Sequence, residues 1–429
     1  MAKKATAKDK AVPAAKRSAL VGVRAVCEKV LKNSDTEVKL NNDDLTESRP
    51  FISTGSLVLD NLIGGPPNLH GIVPCPGLPR GRISNIWGHE SSGKTTVALT
   101  AAAWVGRQNH PSGRPMSVVF IDWENAIDPG YAEALGVPIM DTDRFLLQQP
   151  VTLEDGFRTA MVSIKAGVDL LIFDSVGAGT PEAVFGQSME ELGDAARVGL
   201  LAQKWSTVLG RFQAEASLTG THIMGISQTR KKINTGGGGY GGPTDTWQGG
   251  EAWKFWPSLR LSFRRVKNEK TKQYDALTHK NIDRMTGSII KTKVEKCKVG
   301  PTQHHEAEFY IRFGEGIDDL RTAIDVVVSH GAVNKAGAWY TWERSSGETI
   351  KSCGVDAFRT ALLTTPGAID ELREVAYAAL LSGVALPEAT VADDDDLDID
   401  MSFLEGTKPK PKAESDDGDD GDDGEEDNE

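Results

Sequence analysis

The sequence predicts an α/β fold built on a central, mostly parallel sheet, and three observations carry that expectation. First, the run Gly88-His89-Glu90-Ser91-Ser92-Gly93-Lys94-Thr95-Thr96 stands between a strand-like run, Arg82 to Trp87, and a helix-like run, Thr95 to Arg107. Second, strand candidates at Ser117 to Ile121, Asp169 to Phe173 and His222 to Ser227 alternate with helix-like stretches, notably Leu153 to Ala166 and Ala195 to Ala214. Third, those strand candidates are apolar almost throughout instead of at every second residue, which is what a sheet covered on both faces requires.

The ends of the chain differ from its body. The net charge of -13 over 429 residues is concentrated at one end, because residues 388 to 429 hold 19 acids against 3 lysines, a local -16. The first 32 residues carry 9 Lys or Arg against 2 acids. Such blocks cannot pack a core, so residues 1–50 are expected to be a basic arm and 387–429 a disordered acidic tail. A tail of that charge would compete with nucleic acid for basic surfaces. The cysteines at 27, 75, 297 and 353 form no C-x-x-C pair, which suits reduced thiols. No apolar run reaches the length of a membrane span, and the N-terminus lacks the apolar core of a signal peptide. The expectation is a soluble, cytoplasmic protein with no membrane partner.

Taken in order, Ser18 to Lys32 has the apolar spacing of a short amphipathic helix. Ile52-Ser53-Thr54-Gly55-Ser56 reads as a turn whose last serine caps a short helix through Leu57, Val58 and Leu59. Gly64 to Gly81, with five prolines, reads as a surface loop. Beyond the three apolar strands, runs at Ser258 to Phe263, Ile289 to Val294 and Glu308 to Arg312 would extend the sheet. Thr322 to Leu386 has helical spacing and should pack separately, giving a body at 51–321 and a smaller region at 322–386.

The chemistry starts at the first of these features. The run fits G-x-x-x-x-G-K-[ST], in which Gly88 and Gly93 let successive backbone N–H groups face phosphate oxygens at a helix N-terminus. Lys94 would neutralise the terminal phosphates, and Thr95 would hold Mg²⁺ through its hydroxyl. Asp174 ends an apolar strand and supplies a carboxylate for the same ion. Asp122 and Glu124 close another strand, and the pattern alone does not choose which of them orients the attacking water. Gln228, Arg230 and Lys232 lead into Gly236 to Gly242 with Tyr240, a loop suited to wrapping a flexible polyanion. Lys291 and Lys293 fall on one strand face, near Lys296 and Lys298.

These motifs together resemble the RecA family of bacterial and phage recombinases. The resemblance runs from about Ile52 to about Leu386 and rests on the phosphate loop, Phe120 to Pro129, Phe173-Asp174-Ser175-Val176, Gly249 to Phe255 and Lys335 to Tyr340. It implies a RecA-type P-loop ATPase core with a small N-terminal arm and a small α+β C-terminal domain. It also implies ATP-dependent pairing of single-stranded DNA with homologous double-stranded DNA by a helical homo-oligomeric filament, in recombination, repair and the SOS response. A helicase or translocase on the same core is the alternative.

By that resemblance Glu124 is catalytic with Lys94 and Gln228, and Gly88, Glu90, Ser91, Ser92, Gly93, Lys94, Thr95 and Thr96 bind ATP. Asp128 and Tyr131 contact the adenine, while Thr95 and Asp174 hold Mg²⁺. Lys296 and Lys298 reach a neighbour's ATP, and Phe255 couples adjacent subunits. Ala183 to Asp194 stands for the first DNA loop, and the glycine-rich stretch for the second. Arg197, Lys204, Arg230 and Lys232 face the single strand, to which the loop's own composition adds Tyr240 as a ring for stacking on a base, and Lys291 and Lys293 form the secondary site for duplex. A repressor and a single-strand-binding protein stand as candidate partners. The sequence departs from the family pattern at His89, usually Pro, at Trp123, usually small, and at Glu251, usually Asn. Asn61 to Pro79 is longer than its counterpart.

Overall fold

A computed structural model describes residues 48–68, 71–185, 194–231, 245–247, 249–275 and 279–382. The basic arm with its expected helix, the acidic tail, most of 183–194 and the glycine-rich loop from 232 to 244 lie outside the described residues.

In chain order the elements are β1 (Phe51–Ile52), α1 (Leu57–Gly64), β2 (Leu78–Pro79), β3 (Ile83–Gly88), α2 (Lys94–Gly106), β4 (Val118–Asp122), α3 (Pro129–Ala134), β5 (Phe145–Gln148) and α4 (Leu153–Lys165). Next come β6 (Leu170–Asp174), α5 (Glu182–Phe185), α6 (Asp194–Thr219), β7 (His222–Lys231), β8 (Asp245–Trp247), α7 (Ala252–Phe255), β9 (Leu259–Asp275), β10 (Lys280–Cys297), β11 (Glu306–Arg312) and β12 (Gly316–Ile317). The last are α8 (Asp319–Ser329), β13 (Asn334–Ala336), β14 (Trp339–Glu343), β15 (Thr349–Cys353), α9 (Val355–Thr364) and α10 (Ala368–Ser382).

The main sheet has the order β12-β11-β10-β9-β3-β7-β6-β4-β5, with β8 added to β7. The strands from β9 to β5 in that order are parallel, and β10, β11 and β12 continue the sheet antiparallel. Side chains alternate between two cores. Val118, Phe120, Leu170 and Ile172 face the side covered by α2, while Val119, Ile121, Leu171 and Phe173 face the side covered by α4 and α6. This double coverage is why the runs are apolar without a break. A third cluster joins α8, β14, β15, α9 and α10 through Ile324, Trp342, Ile350, Phe358 and Leu372.

Three local readings differ from the sequence expectation. Ser56 occupies the N-cap of α1 but makes no side-chain cap bond there; the amide of Leu57 donates to Asp319 Oδ1 at 2.7 Å instead. The Gly64 to Gly81 stretch is not wholly superficial. Cys75 and Leu78 are fully buried, and Leu78–Pro79 pairs antiparallel with Phe51–Ile52. Prolines and glycines punctuate backbone direction, and they do not fix exposure. The helical spacing expected over Thr322 to Leu386 is interrupted by the three-stranded sheet β13-β14-β15.

His222 gives the fold a pH dependence. It is fully buried at the start of β7, with Nδ1 2.7 Å from the Pro79 carbonyl and Nε2 2.8 Å from Ser84 Oγ. A carbonyl only accepts, so Nδ1 carries the proton and Nε2 accepts from the serine. Burial pushes the imidazole down to about 4. The unfolded imidazole protonates first, near its ordinary pKa of about 6.5, so stability falls as pH drops from there to about 4 and this contribution is flat below. At pH 5 the loss from this group is about 2 kcal/mol relative to pH 7.5. His222→Asn should be less stable than wild type at pH 7.5 yet lose less between the two pH values, as measured by chemical denaturation. Parallel pH slopes in the two proteins would refute this assignment.

Candidate functional site

The site forms where the parallel strands end. Gly88 closes β3, Asp122 closes β4, Asp174 closes β6, and Gln228 lies on β7 directly beside Gly88. Ligand sites in open parallel sheets lie at this carboxyl edge.

Between β3 and α2 the chain makes a tight loop with no room for side chains at its glycines. Gly93 has φ +83, and a Cβ on it would lie 2.3 Å from Ile311 Cδ1; one on Gly88 would lie 2.2 Å from the Phe263 carbonyl. Ser92 Oγ donates to the His89 carbonyl at 2.7 Å, which braces the loop from inside. Lys94 is 7% exposed and its ammonium donates to the same carbonyl at 2.7 Å. Burial pulls that ammonium below the usual lysine range, opposed by Asp174, Glu124 and Glu90. A buried cation at a helix N-terminus beside a glycine cradle is a donor set matched to phosphate.

Thr95 Oγ1 donates to Asp174 Oδ2 at 2.8 Å. Burial pushes the Asp174 carboxyl up to about 7, with the threonine bond acting the other way and Glu124 and Asp122 adding to the rise. This hydroxyl and carboxylate are hard oxygen donors of the kind Mg²⁺ takes when phosphates and waters fill its other positions.

The two acids after β4 have separate surroundings. Asp122 is buried, and it accepts from the amides of Glu124, Ala126 and Ile127 at 3.0 to 3.2 Å and from Gln149 Nε2 at 3.3 Å. It shapes the loop. Glu124 is exposed on the phosphate side, where its Oε1 accepts from Gln228 Nε2 at 2.7 Å and from the Ser175 hydroxyl. Sequence reasoning does not single out Ser175; its position just after Asp174 is the available signal.

Directly behind Glu124, Trp123 belongs to the core under α4 and α6. Its ring stacks on Phe173 at 5.6 Å and meets Phe157 and Trp205 edge-on, and its indole N–H donates to the Thr152 carbonyl at 3.2 Å. Gly156 and Gly179 make room for it, since a Cβ on Gly156 would come within 2.2 Å of the indole. The large residue next to the acid therefore points into the core, away from the phosphate loop.

A cavity of about 340 Å³ opens beside the loop, walled by Ser91, Thr96, Tyr131, Arg265, Ile290 and Phe313 among others. Tyr131 OH bonds Thr96 Oγ1 at 3.1 Å, and Asp128 caps α3 by accepting from Gly130 and Tyr131 amides. Arg265, on β9, and Phe313, in the turn after β11, come from far along the chain, and no local motif marks them.

Other expected residues lie elsewhere. Lys296 pairs with Arg260, which is level with Asn85 on β3, three residues or about 10 Å along the strands from Gly88. Its ammonium donates to the Phe255 carbonyl at 2.6 Å, and burial, then Lys298 and Arg260, bring it down to about 8. Lys298 is exposed and Phe255 is 65% exposed, so these three residues make an accessible patch remote from their own chain's phosphate loop.

Lys204 is ion-paired with Glu154 at 3.0 Å, and Lys291 with Glu306. Lys293 stands half-buried on the same strand face as Lys291. Arg197 falls on α6 and Arg230 on β7, both without a described side chain, and Lys232 and Tyr240 lie outside the described residues. β7 itself runs past Ser227 to Lys231 and pairs antiparallel with β8, Thr229 opposite Trp247. The glycine-rich loop thus leaves from a paired stem.

A family model described as the RecA N-terminal domain matches residues 26–318. The chain belongs to the RecA family. Proteins named Protein RecA from Thioalkalivibrio sulfidiphilus, Cytophaga hutchinsonii and Corynebacterium glutamicum strain R are 39%, 36% and 38% identical to it over 322, 351 and 338 residues. The alignments cover 75%, 81% and 78% of this chain and 82%, 87% and 79% of those proteins. The mostly parallel sheet with its phosphate loop is the RecA-type core. No helix among the described residues is long and apolar enough to cross a membrane.

Proposed function

We propose that this RecA-family chain is a DNA-dependent ATPase that pairs homologous DNA and exchanges strands as a helical filament on single-stranded DNA. The observation that carries this reading is the 2.7 Å bond from Gln228 to Glu124. One partner is an exposed acid whose charge acts on Lys94, and the other is on the strand whose continuation is the stem of the glycine-rich loop. A change at the phosphates and a change at that loop therefore act on one hydrogen bond.

Mg²⁺ held by Thr95 and Asp174 would neutralise charge on the ATP phosphates. Lys94 and the loop amides bind and orient those phosphates, and Glu124 Oε1 or Oε2 takes up a proton from an attacking water. Gln228 and Ser175 hold the carboxylate in place. Tyr131, in the cavity wall, and Asp128, which caps the helix carrying it, contact the adenine. Lys296, Lys298 and Phe255 serve the adjoining subunit, which accounts for their distance from their own loop. Arg197, Lys204, Arg230, Lys232 and Tyr240 face the single strand, and Lys291 and Lys293 the duplex. A repressor and a single-strand-binding protein are proposed further partners, and the cytoplasm is the proposed location.

The test is joint-molecule formation between a single strand and supercoiled duplex, with ATP and Mg²⁺, using homologous and unrelated sequences. The expected result is product with the homologous pair alone. DNA-stimulated hydrolysis without homology-dependent product would replace this reading with a motor on the same core.

A further inference from the structure

Strands β9 and β10 are 17 and 18 residues long, about three times an ordinary strand. Their inner parts belong to the sheet, where β9 pairs with β3 from Leu259 to Phe263 and β10 pairs with β11 from Gly287 to Lys293. Their outer parts pair with each other alone. Lys270 to Lys272 and Lys280 to Met285 are exposed on both faces, so a two-stranded ribbon leaves the body with no core of its own; Arg264 to Lys267, also exposed, stand at its root, opposite residues that β11 pairs as well.

The ribbon is basic in an acidic chain. From Arg264 to Thr286 there are seven Lys or Arg (264, 265, 267, 270, 272, 280 and 284) against Glu269, Asp275 and Asp283, a difference of +4, while the whole chain stands at -13. The register sorts these charges. Lys291 lies opposite Arg264, the irregularity at Ile289/Ile290 brings Lys267 opposite Ile289, and that at Met285/Gly287 brings Arg284 opposite Thr271. With strand alternation, Lys293, Lys291, Arg264, Lys267 and Arg284 share one face, over roughly 25–30 Å. Among the residues whose side chains are described, Glu306, Glu308 and Glu269 are the acids on that face, against five cations, and Glu306 is already paired with Lys291. Lys270 and Lys272 fall on the other. At its inner end the row lines a cleft of about 210 Å³ with Trp87 and His89.

We propose that the ribbon is an arm for duplex DNA, in which Lys267 and Arg284 continue the surface begun by Lys291 and Lys293 onto the phosphate backbone of the second DNA. This deepens the DNA-pairing reading and rests on it. Spaced cations on a stiff ribbon suit a regular phosphate backbone. Beyond the cleft the register places Tyr310 on that face, opposite Ile289, but the Arg321 guanidinium lies 5.0 Å from the centre of its ring, so that ring is not open to an unstacked base, which favours duplex over single strand.

The test compares wild type with Lys267→Gln/Arg284→Gln, and with Lys270→Gln/Lys272→Gln on the opposite face. Binding of a fluorescent 30-base-pair duplex is followed by anisotropy over a salt series, beside hydrolysis stimulated by single-stranded DNA. The first variant should bind duplex about tenfold more weakly at low salt, with the slope of log K against log salt reduced by about 2, one for each phosphate no longer neutralised. Its single-strand-stimulated hydrolysis should match wild type, and the opposite-face variant should keep the wild-type slope. Equal losses from both faces, or an unchanged slope in the first variant, would overturn the arm. So would a gain in affinity that vanishes once residues 388–429 are removed, which would make the acidic tail the occupant. Duplex binding through the ribbon without homology-dependent joint molecules would retire strand exchange and leave the arm standing.

Discussion

Glu124→Gln is expected to lower ATP turnover on single-stranded DNA by about 10²–10⁴-fold while filaments still assemble. The amide keeps an oxygen to accept from Gln228 and Ser175, so the local arrangement survives, and what is lost is the capacity to take a proton. Filaments should then form and fail to disassemble. Steady-state hydrolysis together with filament dissociation after ATP removal checks both halves. Undiminished hydrolysis would move the role away from Glu124. Asp122 is a poor successor, since its carboxylate is held by three backbone amides and Gln149.

The second large effect is expected at Trp123, which is 8% exposed amid Phe157, Phe173 and Trp205. Trp123→Ala should cost about 3–5 kcal/mol in stability, because two of the neighbouring positions are glycines with no side chain to relax into the space. Trp123→Phe should cost less, keeping the stack on Phe173 and losing the bond to the Thr152 carbonyl. Chemical denaturation of the two variants measures the difference. A cost below about 1 kcal/mol for the alanine would mean that the backbone around Gly156 and Gly179 closes onto the gap.

The parallel strands were legible because burial on both faces writes an unbroken apolar run, and the phosphate loop because its spacing is set by the shape of a phosphate group. The acids at 122 and 124 were legible as a pair and not individually. Which of them is consumed by backbone amides depends on how the loop after β4 curls, and the letters do not record that. The outer halves of β9 and β10 were illegible for the opposite reason to the core strands: a ribbon exposed on both faces has no apolar alternation, so Ser258 to Phe263 and Ile289 to Val294 marked only its root. Arg265 and Phe313 come to the cavity wall through sheet order, from a strand and a turn well over a hundred residues beyond the phosphate loop. The helical reading of 322–386 missed strands of three to five residues, too short to display a period.

The bond from the Leu57 amide to Asp319 joins positions 262 residues apart. During synthesis, which proceeds at roughly 5–20 residues per second, the first helix of the body emerges many seconds before the carboxylate that completes its end. Until then that end must be satisfied by water. The amino-terminal edge of the ATPase body is therefore finished late, when the chain that follows β12 has been made and has returned to it.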